Sequence, residues 1–182
     1  GSLFVGVGNY DRALTHFEAA YREDPSEVRT KMFLSLFYEA LGRGDEAASI
    51  RADVPTSYMQ EPGVHVLAGR IALWASNPSL AVEHFRSARD LGSPEPEASL
   101  RLVRAAMLAE QIDLVVTTLD ALERTHPDLA DVWNLRAVHE LRLGRPWVAA
   151  EYFERSLAID PDQEQVRRRL ATAIESGDSP EQ

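Results

Sequence analysis

The sequence predicts an all-α solenoid of antiparallel helical hairpins, and three observations carry that prediction. Small residues recur every 34 positions, at Ala13, Ala47, Ala81, Val115 and Ala149. Helix-breaking residues stand five positions before them, at Gly8, Gly42, Ser76 and Gly144, with Glu110 as the exception in the fourth place. Bulky residues follow four positions after, at Phe17, Phe85, Leu119 and Phe153, with Arg51 breaking the series. A register that never slips along the chain marks a repeat architecture, in which no unit buries its apolar face alone and neighbours must stack.

Each period reads as helix, tight turn, helix and a second turn. That second turn carries Pro25, Pro127 or Pro161, while Met59 and Ser93 depart from it. A helix of about 14 residues runs roughly 21 Å. The small residue lets the paired helix approach closely, and the bulky residue one turn later fills the space beside it. Helices are predicted over 10–23, 26–41, 45–53, 63–75, 78–91, 96–109, 112–125, 129–143, 147–159 and 163–176. Leu3 to Val7 reads as the tail of a helix cut short, which makes the chain a fragment. In the second unit Pro55 follows Arg51, so that helix stops early and leaves Thr56 to Glu61 as a loop closed by Pro62. Gly92-Ser93-Pro94-Glu95-Pro96 reads as a stiff turn between units, with a docking motif as its alternative. The last helix sets Arg167, Arg168 and Arg169 beside Val166 and Leu170, a charged outer face with a narrow apolar stripe, as a capping helix requires.

At 182 residues, one domain spanning 1–182 is the expectation. The hydrophobic fraction of 45% and charged fraction of 26% exclude a disordered or collagen-like chain. With no cysteine there are no disulfides, thiolate zinc sites, iron–sulfur clusters or cysteine nucleophiles, and the compartment stays open between cytoplasm and periplasm. A formal charge of −10 repels nucleic acid and anionic membranes at long range. No run approaches the eighteen apolar residues of a spanning helix.

Catalytic and metal-binding chemistry finds no foothold. None of His16, His65, His84, His126 and His139 makes the i, i+4 pair that grips a metal from a helix. His16 and His84 fall at the same site two units apart, which repeat symmetry explains. Asp160, Asp162 and Glu164 cluster where a helix opens, the place where acidic residues complement the helix dipole. No phosphate loop and no serine nucleophile signature occurs. The expectation is a non-enzyme without cofactor or metal.

The fingerprint Gly-x4-Ala-x3-Phe-x2-Ala-x4-Pro, cleanest in Gly8, Ala13, Phe17, Ala20 and Pro25, resembles the tetratricopeptide repeat. Trp133, Ala137, Gly144, Ala149, Phe153 and Pro161 match again in the fifth unit, and Leu34, Tyr38, Gly42 and Ala47 in the second. The resemblance covers nearly the whole chain. It implies a right-handed superhelix with units at about 1–27 (truncated), 28–61, 62–95, 96–129 and 130–163, then the capping helix.

In that family the first helices of successive units line a concave groove. Carried across, the lining includes Met32, Phe33 and Leu36 in the second unit. The third gives Val66, Leu67, Arg70, Leu73 and Trp74. The fourth gives Leu100, Arg101, Arg104, Met107 and Leu108, and the fifth Asn134, Leu135, Val138, Leu141 and Arg142. The resemblance thus implies a scaffold that binds a protein or peptide with apolar and acidic side chains, the arginines pairing with carboxylates. Two alternatives stay open: a self-assembling module forming homo-oligomers, or the regulatory arm of a larger enzyme. The carboxylate clamp that some members use for chaperone tails is not matched. Its positions fall on Met32, Leu36, Leu67, Glu97 and Arg101 in one frame, and on Val66, Arg70, Arg101, Asp131 and Leu135 in the next. Asn134 stands alone where protein O-glycosyltransferases carry an asparagine ladder.

Overall fold

The computed structural model describes residues 7–177, and within them ten α-helices and one 3₁₀ turn occur with no strand. The helices are α1 (Val7–Glu23), α2 (Val28–Ala40), α3 (Gly44–Arg51), α4 (Pro62–Trp74), α5 (Pro78–Asp90), α6 (Glu97–Leu108), α7 (Ile112–Thr125), α8 (Ala130–Arg142), α9 (Pro146–Ile159) and α10 (Glu164–Gly177). Two compact units form, Gly1–Ala98 and Ser99–Gln182. In the first, α1 packs on α2, α2 on α3 and α4, and α4 on α5. In the second, α7 packs on α8, α8 on α9, and α9 on α10.

Each hairpin turn is closed by the same pair of devices. The residue five places before the small position adopts a left-handed conformation, with φ of 75° at Gly42, 58° at Ser76, 57° at Glu110 and 72° at Gly144. The next N–H then reaches back to the carbonyl five residues earlier: Arg43 to Tyr38 (2.8 Å), Asn77 to Ala72 (2.8 Å), Gln111 to Ala106 (3.0 Å) and Arg145 to Glu140 (3.0 Å). These are Schellman closures, which satisfy carbonyls that the helix end leaves bare. Ser76 and Glu110 therefore keep the turn that glycine makes easily, at a cost set by their Cβ atoms. Outgoing helices start on Pro78 and Pro146, whose missing N–H would have no partner there. Asn77 Oδ1 caps α5 by accepting from the Leu80 N–H at 3.2 Å.

Small and large residues sixteen apart meet where the paired helices cross. A Cβ built on Gly69 of α4 would lie 2.7 Å from Cε1 of Phe85 on α5, so the glycine admits the ring. In the second unit Ala137 and Phe153 repeat this pairing in a cluster with Ala149, Val166 and Ala173, all buried. Of the periodic small residues, Ala47, Ala81, Val115 and Ala149 are buried as well, and Ala13 is half-buried. At Arg51, where the series breaks, the guanidinium Nε donates to Ser35 Oγ at 3.3 Å and Nη2 pairs with Glu39. A polar contact thus replaces the aromatic one in that hairpin.

Two details differ from the sequence expectation. Thr56 to Glu61 is not an open loop: Thr56–Gln60 forms a 3₁₀ turn in which the Tyr58 N–H donates to the Pro55 carbonyl at 3.1 Å. Proline at 55 stops the α-helix, yet its carbonyl still starts a tighter turn. Gly8 does not precede the helix but lies within α1. The helix tail expected at Leu3 to Val7 lies outside the described residues apart from Val7, which is helical.

Two substitutions check this account. Gly69→Ala forces a methyl into the enclosed Phe85 ring and is expected to destabilise by about 1–2 kcal/mol despite the better helix propensity of alanine. Combining it with Phe85→Leu should recover part of that loss, a coupling that thermal melts of both single variants and the double variant measure. Glu110→Gly, by contrast, relieves a left-handed residue and is expected to raise stability by about 0.5–1 kcal/mol in denaturant titration. An unchanged or lower midpoint would contradict the turn geometry.

Candidate functional site

The first-helix residues singled out in the sequence divide into buried, shared and accessible sets. Leu36 and Met107, expected on an exposed lining, are corrected to core: they are 2% and 6% exposed. For Leu36 the reason is that α2 packs on α1, α3 and α4, so a face that looks free in the pattern is covered. Phe33 is half-buried and stacks on Phe17 with centroids 5.0 Å apart. Trp74, also half-buried, meets Phe37 edge-on at 5.7 Å and Tyr10 at 6.0 Å. Much of the Trp74 indole is therefore committed to the aromatic cluster of the first unit, with Leu73 half-buried beside it in sequence.

The arginines differ in their commitments. Arg70 on α4 is exposed and makes no ion pair or hydrogen bond among the described residues. Arg104 donates to Asp131 Oδ2 at 2.8 Å, a partly exposed bridge between α6 and α8. Arg101 is half-buried on α6. Arg142, exposed at the end of α8, donates through Nη1 to the Met107 carbonyl. Asn134 is half-buried, its Oδ1 at 3.5 Å from Arg169 Nη1. Leu108 is 42% exposed.

Two features were not legible as sites in the sequence. One is a cleft of about 580 Å³ in the second unit, formed where the α6–α7 turn meets the end of α8. Ala106, Met107, Leu108, Glu110, Gln111, Ile112, Val115, His139, Arg142 and Leu143 line it. His139 is 4% exposed and its Nε2 is buried without a hydrogen-bond partner among the described residues. Leaving such an atom unpaired costs about 1–3 kcal/mol. Burial lowers the His139 pKa, Glu140 opposing that shift while Arg136, Arg142 and Arg145 add to it.

The other is a polar cluster in the first unit. His65 Nε2 donates to the Met59 carbonyl at 2.9 Å, which leaves its Nδ1 to accept from His84 Nδ1 at 3.1 Å. The remaining His84 nitrogen then faces Glu39 at 3.9 Å, the carboxylate that Arg51 also holds. Burial lowers the His84 pKa; Glu39 works against it, and His65 and Arg51 reinforce it. Among the described residues no group of three or more His, Asp or Glu side chains could hold a metal ion.

Stacked helical hairpins closed by one recurring turn, with accessible arginines and apolar side chains on the first helices, define a helical repeat protein that presents surface for recognition. The chain belongs to the tetratricopeptide repeat family, whose model matches residues 1–54 and 116–164, more than half of its length. This family is a scaffold for protein–protein interaction. The chain is similar to human protein O-mannosyl-transferase TMTC1, 23% identical over 176 residues that cover 94% of this chain and 20% of that protein. It is also similar to tetratricopeptide repeat protein 8 of Caenorhabditis elegans, 25% identical over 152 residues, 82% of this chain and 30% of that one. It spans less than a third of the length of these curated relatives. Among solved structures, MamA superposes with a TM-score of 0.59 at 17% identity over 82% of each chain, a likeness of fold. No helix among the described residues is long and apolar enough to cross a membrane.

The two depressed histidines give a pH dependence with a defined sign. Both imidazoles favour the neutral form when folded, so the unfolded chain binds more protons, and stability rises with pH across their titration. It is complete above the ordinary histidine value of 6.5 and declines as pH falls from there through the lower folded values. The carboxylates held below their ordinary range, Asp24 by Ser26, Glu27 by Thr30, Glu46 by Arg43 and Asp53 by Lys31, act only at lower pH. Thermal melts are therefore expected to show a lower midpoint at about pH 5.5 than at about pH 7.5, with a smaller difference in His84→Gln. Identical midpoints at both pH values would refute the assignment.

Proposed function

We propose that this chain is a non-catalytic protein–protein interaction module whose first-helix faces bind a partner peptide or helix that combines apolar and acidic side chains. The observation that carries the reading is Arg70, an exposed arginine without a partner among the described residues of a chain whose formal charge is −10. One helical turn on, the partly exposed Trp74 offers an apolar edge on the same face. Arginine and tryptophan are the residue types that most often dominate interface energetics. The second unit, taken by itself, offers the same combination of apolar surface and guanidinium donors in Leu108, Arg101, Arg104, Asn134 and Arg142. Phe33 and Leu73 of the first unit contribute their exposed edges, while Leu36 and Met107 lie in the core of their own units.

Arg70→Glu is the informative substitution, because it removes no observed contact and leaves the fold intact. Trp74→Ala and Arg104→Glu would each break the packing or pairing described above and confuse binding with stability. With wild-type chain as bait, a partner recovered from the source lysate and titrated against both forms is expected to bind Arg70→Glu more weakly by about 2–3 kcal/mol. Unchanged affinity with unchanged circular dichroism would overturn the reading. Light scattering on the purified chain reports in the same experiment whether the partner is a second copy.

A further inference from the structure

The cleft beside the α6–α7 turn lies at the end of α6 and α8. Its volume of about 580 Å³ is in the range of sites that enclose a ligand. Three of its walls are apolar side chains left unusually open to solvent: Leu108 at 42%, Ile112 at 52% and Leu143 at 38% exposure. Scattered exposed leucines need no explanation, but three that converge on one concavity mark a surface built to be covered.

The polar groups of the cleft point to what covers it. His139 Nε2 is enclosed with no partner among the described residues, so the folded chain holds a buried polar atom ready for a hydrogen bond that a bound molecule can complete. Arg142, one helical turn further along α8, lines the same cleft and uses one N–H on the Met107 carbonyl, which leaves the rest of its five-donor fork for another acceptor. A guanidinium and an imidazole N–H together suit a carboxylate. Glu110 is the only anion in the lining; it is exposed on the turn and solvated. Glu140 is turned to Arg145 at 3.4 Å and Arg136 is held by Asp120 and Glu123; both still act on His139, Glu140 raising its pKa and Arg136 lowering it.

We propose that this cleft docks a partner segment in which a branched apolar side chain packs against Leu108, Ile112 and Leu143 while an adjacent carboxylate accepts from Arg142 and His139. The proposal rests on the protein-binding reading above and gives the second-unit residues Leu108 and Arg142 a chemically defined occupant.

The test is a side-chain NMR titration of the whole chain with the blocked peptide acetyl-Ala-Leu-Asp-Ala-amide and its Asn counterpart. The Asp peptide is expected to move the methyl signals of Leu108, Ile112 and Leu143 saturably. It should also raise the titration midpoint of the His139 imidazole, because a bound carboxylate stabilises the imidazolium. The Asn peptide should bind about tenfold more weakly. Arg142→Gln, which keeps a donor for the Met107 carbonyl, is expected to erase the difference between the peptides. Ile112→Gln, at an exposed position, should weaken both. Equal affinity for the two peptides, an unmoved His139 midpoint, or no saturation up to about 10 mM would each overturn the proposal. The two readings fail separately: these results leave partner capture through Arg70 unaffected, whereas loss of the Arg70→Glu effect leaves the peptide titration unaffected.

Discussion

The arrangement depends on how closely two helices of a hairpin can cross. Side chains fix that distance, and in a repeat each unit must solve the problem at the same place. A small residue on the first helix faces a large one sixteen positions later on the second, as Gly69 does with Phe85 and Ala137 with Phe153. The ring needs a backbone without bulk opposite it, and the backbone needs the ring to fill the gap that its own small side chain leaves. Neither residue makes sense without the other. From that contact follow the antiparallel pairing, the length of the turn and the burial of Ala81 and Ala149.

The fold was legible because its determinants are periodic. Helices and turns repeat every 34 residues, so a departure in one unit is outvoted by the others, and the expected helix limits agree with the observed ones to within a few residues. Positions 76 and 110 show how strong the pattern is: the turn holds its left-handed residue even where serine or glutamate replaces glycine. The candidate site was less legible. Helical spacing shows which residues share a face but not which neighbour covers that face, so Leu36 and Met107 read like Leu108 although only Leu108 reaches solvent. The contacts of Trp74 with Tyr10 and Phe37, the His65–His84 bond and the cleft around His139 all join residues far apart in sequence. No local motif encodes any of them.

Charge in this protein is largely spent internally. Arg136, nearly buried, is held by Asp120 and Glu123, Arg104 by Asp131, and Arg51 by Glu39. These pairs fix how one helix sits against the next and contribute little to a long-range field. The chain as a whole keeps a formal charge of −10. A field of that sign repels acidic groups at long range.

The hairpin of α2 and α3 differs from its neighbours in a way that reaches beyond packing. α3 has only eight residues and a single buried one, Ala47, and at its end Arg51 bonds to Ser35 and Glu39 where the other hairpins place an apolar side chain. In a chain whose stability is a sum over neighbouring units, the weakest member decides where it opens. Water competes for a guanidinium–hydroxyl contact in a way it cannot compete for a buried phenyl ring. On that ground this hairpin is where amides are expected to exchange first in its unit.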